Sequence, residues 1–239
     1  MCSIVLCDVI ILVGMKEILK KPVILFCIFI LFDVLMIILH LLLQGKTFFN
    51  LDMESNLPTI YQGVKVVLIS SFSFIIITLI YLEKRNLKES IFWMFWALIF
   101  LVMAMDEVGQ VHENISTYMK EIFGSSAINY ESIAMDAGYS SHPWLLYYAI
   151  AFVVLTLVIA FVLGTVIRKG RILLLLGWFV LLLAPVLEYI NTLPNIMFQQ
   201  DYWTLMVIEE SLEMLGATIL LTFTFKSLVS MPVIRNTLI

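Results

Sequence analysis

Hydrophobic residues occur along this chain in long runs, and short polar or charged segments separate the runs. A helix needs roughly 20 apolar residues to cross the hydrocarbon core of a bilayer. Six runs have this character and predict spanning helices at about 23–43, 64–83, 91–113, 143–167, 172–191 and 202–225. The sequence therefore predicts an all-α fold: a polytopic transmembrane bundle of six spanning helices that forms one domain over residues 1–239.

A shorter apolar run, residues 3–15, precedes the first predicted span. We interpret it as a short N-terminal interfacial helix, with a seventh membrane segment as the alternative. Composition agrees with a membrane protein, because 62% of the residues are hydrophobic and only 13% are charged, whereas soluble domains have about 25% charged residues. The net charge of -4 and the lack of a basic stripe argue against nucleic acid as a partner.

Lysine and arginine decide the predicted orientation, because they concentrate on the cytoplasmic side of membrane proteins. With the N-terminus inside, the inner face collects all but three of the 14 basic residues. The outer face keeps Lys46, Lys65 and Lys120. Both termini are therefore predicted to be cytoplasmic, in a plasma or inner membrane. The long connector 114–142 then becomes an outer, lid-like loop.

Acidic residues are frequent inside the predicted spans. Of the 18 acidic residues, those within spans are Asp33, Asp106, Glu107, Glu113, Glu188, Glu209, Glu210 and Glu213. A charge at the bilayer centre costs at least about 2.5 kcal/mol. The predicted span boundaries place no lysine or arginine in the middle of a span to balance these charges. Either several carboxyl groups are protonated, or another cation supplies the positive charge.

Five of these carboxyl groups are predicted at one depth. With a rise of 1.5 Å per residue, Asp106 and Glu107 lie about 22–24 Å from the inner end of the third span. Glu188 lies about 24 Å from the inner end of the fifth span. The sixth span runs the other way and brings Glu209 and Glu210 to about 10–12 Å below the outer surface. This shared depth predicts an acidic pocket in the outer half of the bundle.

The pocket has the residue types of a metal site. The predicted metal ligands are Asp106, Glu107, Glu188, Glu209, Glu210, Glu213 and His40. Carboxylates with imidazole suit Fe, Mn or Zn, whereas an all-oxygen set suits Ca or Mg. A divalent transition metal is therefore expected, with calcium as the weaker alternative. Glu113 and His112, nearer the mouth, are the candidate catalytic residues, and either would act as the general base. The Glu-x-x-His pairs that are typical of di-iron bundles do not occur.

These features lead to three hypotheses for function. The first is a metal-dependent membrane enzyme, a hydrolase or an oxidoreductase, that acts on a lipid or lipid-like substrate from the outer leaflet. The second is a proton- or cation-coupled transporter, because acidic residues within spans mark ion paths. The third is a non-catalytic membrane partner subunit. All three have membrane lipids as neighbours, and the sequence indicates neither the substrate nor the oligomeric state.

Overall fold

The regular structure of the chain is helical wherever it is described. The computed structural model describes residues 21–43, 47–51, 56–83, 87–109, 170–191 and 199–234. Its long helices are α1 (Pro22–Leu42), α2 (Leu57–Leu82), α3 (Leu87–Gly109), α4 (Arg171–Asn191) and α5 (Gln199–Val229), and a short 3-10 helix, Thr47–Phe49, lies between α1 and α2. The predicted fourth span, the lid-like connector 114–142 and the N-terminal interfacial helix lie outside the described residues.

The described helices include four that are long and apolar enough to cross a membrane. These segments are Pro22–Leu42, Leu57–Leu82, Leu87–Glu107 and Trp203–Val229. Within α4, the stretch Arg171–Leu187 is apolar but shorter. The helices support the predicted all-α membrane protein. Six spans and cytoplasmic termini stay predictions.

The start of α2 differs from the sequence-based expectation. We predicted a span from residue 64, and α2 begins at Leu57, about two turns earlier. Asn56 caps this end, because its side-chain oxygen accepts a hydrogen bond from the backbone N–H of Thr59 at 3.2 Å. Pro58 occupies the first turn, where a backbone N–H is not required. The predicted start was wrong because Gln62 and Lys65 resemble a polar helix end, whereas both are buried inside α2.

The helices form a bundle in which α5 is central. α5 packs against α1, α2 and α4, and α2 also packs along α3. The bundle end at which α1 stops and α2 starts is called the upper end, and the end at which α2 stops and α3 starts is the lower end. α1 is peripheral, since large apolar side chains along it are exposed, among them Val23, Leu31 and Leu42. Lipid contact accounts for such a surface on a spanning helix.

Aromatic rings fill the lower half of the bundle. Trp96 of α3 lies with its ring centroid 5.9 Å from that of Trp178 of α4. Trp93 stacks on Phe223 of α5 at 5.8 Å between ring centroids. The indole N–H of Trp96 donates to the Thr224 hydroxyl at 3.3 Å, which satisfies the buried donor. This half is a packed apolar layer.

Two glycines allow α4 and α5 to approach closely. A Cβ atom at Gly216 of α5 would lie 2.9 Å from the backbone nitrogen of Leu181. A Cβ atom at Gly177 of α4 would lie 2.8 Å from a methyl carbon of Leu220. Small residues at such contacts are typical of helix pairs in membranes, where backbone proximity maximises van der Waals contact.

Candidate functional site

A buried ion pair joins α1 to α2 in the upper half of the bundle. The Lys65 ammonium nitrogen lies 2.8 Å from Oδ1 of Asp33, and both side chains are buried. The same ammonium donates to the backbone carbonyl of Met214 in α5 at 2.9 Å. Three helices therefore meet at one lysine. The attraction between the two charges, together with their hydrogen bonds, offsets the free-energy cost of removing each charge from water.

Two more hydrogen bonds complete the surroundings of Asp33. The Tyr61 hydroxyl of α2 donates to Oδ1 at 2.7 Å, and the Thr218 hydroxyl of α5 donates to Oδ2 at 2.7 Å. Lys65 also lies over the face of the Tyr61 ring, 4.5 Å from its centroid. We call Asp33, Tyr61, Lys65 and Thr218 the Asp33 cluster. It holds the carboxylate of α1 through donors from two other helices.

The position of Lys65 contradicts the expectation that no lysine or arginine lies near the carboxyl groups inside the spans. The residue was assigned to the outer surface, and it is fully buried, about 12 Å along α2 from the start of that helix. Glu107 of α3 and Glu213 of α5 also interact electrostatically with its ammonium group. Lys65 is therefore paired with Asp33 and interacts at longer range with Glu107 and Glu213, so it supplies part of the missing positive charge.

The predicted site residues have different positions in the structure. Half-buried side chains in the upper halves of α3 and α5 are Asp106, Glu107, Glu209, Glu210 and Glu213. Glu188 belongs to α4, and its side chain lies outside the described part of the structure. The candidate catalytic residues His112 and Glu113 also lie outside the described residues.

His40, a predicted metal ligand, is buried near the upper end of α1. Its Nδ1 atom accepts a hydrogen bond from the backbone N–H of Leu51 at 3.1 Å. A neutral imidazole that accepts at Nδ1 carries its hydrogen on Nε2. Nε2 is therefore a donor with no lone pair to offer a metal ion. The Trp203 ring of α5 lies alongside, at 6.5 Å between ring centroids.

Gln62 is a polar residue of this region that the sequence analysis did not select. Its side chain is only 6% exposed, and its carbonyl oxygen Oε1 has no hydrogen-bond partner among the described residues. Buried amide oxygens are nearly always hydrogen-bonded, because an unpaired one loses its interaction with water. An acceptor of this kind calls for an explanation.

A complete metal site is not assembled by the described residues. Among them, no group of three His, Cys, Asp or Glu side chains could hold a metal ion. The predicted ligands Glu107 and Glu213 interact electrostatically with Lys65. Any further ligand has to come from another residue type or from outside the described ranges.

Comparison with known proteins places the bundle in a family. Residues 23–228, from the first turn of α1 to the last turn of α5, match a family described as Domain of unknown function (DUF8692). The chain belongs to the DUF8692 family. No curated protein and no solved structure matches the chain. The description of the DUF8692 domain states no activity.

Sequence reasoning missed the Asp33 cluster as well as Gln62. Lys65 was available as a signal, because Asn56 followed by Pro58 fits a helix start and would have placed Lys65 about two turns inside the span and not at its outer end. Tyr61 and Thr218 carry no such signal. Their role depends on the register between helices that are far apart in the DUF8692 domain.

Proposed function

We propose that the protein binds a divalent cation in the upper half of its bundle and uses it in a reaction on a lipid or lipid-like substrate. The observation that carries the proposal is the placement of half-buried Glu107 and Glu213 in the upper halves of α3 and α5, where both interact electrostatically with one buried ammonium. A bound divalent cation polarises a substrate oxygen or lowers the pKa of a bound water. These roles suit an ester or phosphoester in a lipid headgroup.

The charges of the described side chains support this proposal. Asp33 and Lys65 form a hydrogen-bonded pair at 2.8 Å and are together neutral. Glu107 and Glu213 add carboxylates at the same cluster, and carboxylate oxygens are ligands for divalent cations. The peripheral, apolar α1 forms one wall of the region, so a lipid-like molecule approaches from the bilayer.

Thermal unfolding of the purified protein tests the cation-binding part. After treatment with a chelator, separate additions of Ca²⁺, Mg²⁺, Mn²⁺, Zn²⁺ and Fe²⁺ are compared, and at least one should raise the Tm, because a ligand that binds only the folded state stabilises it. Glu107→Gln and Glu213→Gln should lose the increase. Glu89→Gln, the same change at the lower end of α3, should retain it. A wild-type Tm that responds to none of the cations contradicts the proposal.

The catalytic part needs a separate measurement. Protein in nanodiscs of defined phospholipid composition is incubated with and without the stabilising cation, and lipid products are followed by mass spectrometry. A cation-dependent product that Glu213→Gln abolishes is expected. If the protein binds a cation but forms no product from any lipid class, the proposed cation binding stands and the proposed enzymatic activity is contradicted.

A proton- or cation-coupled carrier is the second candidate, and the Asp33–Lys65 pair favours it. Ionisable pairs within membrane spans are common in proton relays. The lower half argues against a continuous path, because Trp96, Trp178 and Phe223 are buried there among apolar side chains. Proteoliposomes settle the choice: proton or cation flux that is lost in Glu213→Gln favours the carrier, and the absence of flux in the wild type removes it.

A further inference from the structure

We propose that the carbonyl oxygen of Gln62 is a ligand of the bound cation, together with Glu107 and Glu213, and that the cation is Ca²⁺. This inference rests on the proposed cation-binding function and names its ion. The orphaned Oε1 atom of Gln62 motivates it. A cation at this oxygen would satisfy the buried acceptor, which the described protein groups leave without a donor.

Gln62 lies on the face of α2 that meets α3. Gln62, Val66 and Ser70 are spaced at i, i+4 and i+8, which places them along one face of a helix. The Ser70 hydroxyl donates to the carbonyl of Ala97 in α3 at 2.9 Å, and Val66 is buried. Gln62 therefore lies on the same side of α2 as Ser70, which contacts α3.

The register of α2 and α3 brings Gln62 level with the acidic end of α3. The hydrogen bond from Ser70 to Ala97 fixes one level of this antiparallel pair. Gln62 lies eight residues before Ser70, and Met105 lies eight residues after Ala97, so both are about 12 Å above that level. Glu107 follows Met105 by two residues. Gln62 and Glu107 thus share the upper layer of the bundle.

A second register places Glu213 in the same layer. Lys65 donates to the backbone carbonyl of Met214, which sets the level of α5 against α2. Gln62 is less than one turn above Lys65 on α2, and Glu213 directly precedes Met214 on α5. The electrostatic interactions of Lys65 with both glutamates agree with these levels. An amide oxygen and two carboxylates are therefore carried at one depth by three helices of the bundle.

The donor atoms in this region select a hard cation. They are carboxylate and amide oxygens, and His40 offers no imidazole lone pair because Leu51 occupies its Nδ1 atom. Calcium is bound by carboxylates and by Asn or Gln carbonyls, with six to eight oxygen ligands. Mg²⁺ keeps several waters, and Zn²⁺ favours nitrogen and sulfur ligands. The Gln62 oxygen therefore favours Ca²⁺ over the transition metals that the sequence suggested.

Replacement of Gln62 by methionine distinguishes two interpretations of this residue: a ligand of the cation, or a buried polar group without a hydrogen-bond partner. Gln62→Met keeps a long side chain and removes the buried acceptor, so the chelator-treated variant should have a Tm equal to or above that of the wild type. Its calcium affinity, measured by titration calorimetry and by the calcium-dependent Tm, should fall at least about tenfold, as changes at metal sites typically do. Gln62→Glu, which retains an oxygen at this position, should keep calcium binding.

Each outcome of this comparison tests a different part of the proposal. Calcium affinity that is unchanged in Gln62→Met overturns the assignment of Gln62 and leaves the cation-binding function intact. A wild type that prefers Mg²⁺, Mn²⁺ or Zn²⁺ overturns the assignment of calcium. A wild type that binds no cation removes the proposed function as well. If Gln62→Met does not fold, Gln62→Asn replaces it, because the shorter side chain withdraws the oxygen and should also weaken calcium binding.

Discussion

In the lower half of the bundle, Trp96 packs against Trp178 and Phe223, and its only polar atom is satisfied by Thr224. In the upper half, α1, α2 and α5 bury an ion pair, Asp33–Lys65, among hydroxyl and carbonyl groups. The apolar packing in the lower half stabilises the fold without requiring charged groups in a particular geometry. A buried ion pair depends on its geometry and is weak evidence for stability.

This difference assigns separate roles to the two halves. Well-packed hydrophobic residues of similar volume often replace a buried ion pair with no loss of stability. Helix association alone therefore does not require charges at Asp33 and Lys65. Charged residues inside membrane spans are typical of functional sites. The lower half therefore holds the helices together, and the upper half contains the charged groups on which the proposed function depends.

The largest expected decrease in stability follows from removing one partner of the ion pair. Lys65→Met leaves the Asp33 carboxylate buried without its ammonium, and the free energy of unfolding should fall by about 3–5 kcal/mol. Reversible unfolding of the protein in detergent micelles measures this loss. Asp33→Asn in the Lys65→Met background should recover most of it, because the double variant contains neither charge. A loss below about 1 kcal/mol in the single variant would show that the pair is not buried as a charged pair.

In the lower half, Trp96→Ala should lower the free energy of unfolding by about 3 kcal/mol, because it leaves a cavity in a packed core. The fully buried indole contacts α4 and α5 in the structure. The same variant should bind the cation with wild-type affinity, since the ring lies in the other half. A change in cation affinity as large as that of Glu107→Gln would contradict the separation of the two halves.

Gly216 offers a smaller test at the contact between α4 and α5. Gly216→Ala brings a Cβ atom to within 2.9–3.0 Å of the Leu181 backbone, and overpacking of this kind costs about 1–3 kcal/mol. Gly177→Ala is the comparison variant, because the nearest atoms to its Cβ, at 2.8–2.9 Å, would belong to the side chains of Leu220 and Ile219 rather than to the backbone. Equal losses of unfolding free energy in the two variants would refute the backbone clash.

The smallest expected effect compares two threonines of α5. Thr218→Val removes the hydrogen bond to the Asp33 carboxylate and should cost about 1.5 kcal/mol, because bonds to charged groups are the stronger ones. Thr224→Val removes the hydrogen bond from the Trp96 indole and should cost about 0.6 kcal/mol, the average for interhelical hydrogen bonds in membranes. Unfolding of the two variants under identical conditions measures the difference. The reverse order would contradict the assignment of the stronger hydrogen bond to Thr218.

The helices were predictable from the sequence, and the contacts of the site were not. Apolar runs of membrane length predict α1, α2, α3 and α5 because the bilayer requires that length. The Asp33–Lys65 pair could not be predicted in the same way, because its partners are 32 residues apart and meet only in one helix register.

Only some residues of the proposed site could be selected from the sequence, for a related reason. Glu107 and Glu213 were selected because carboxylates inside spans are costly, and both interact with one buried ammonium. Gln62 was not selected, because a glutamine near a span end is ordinary and only its burial makes it unusual. The tautomer of His40 depends on the position of Leu51, which the sequence does not specify.

The ion pair also has a consequence for biosynthesis. Asp33 leaves the ribosome 32 residues before Lys65, a delay of about 2–6 s at roughly 5–20 residues per second. During that interval the carboxylate of α1 has no ammonium to meet in the bilayer. We therefore expect α1 and α2 to enter the membrane as a helical hairpin in which the two charges neutralise each other. The Thr218 hydroxyl arrives 185 residues after Asp33 and completes the cluster last.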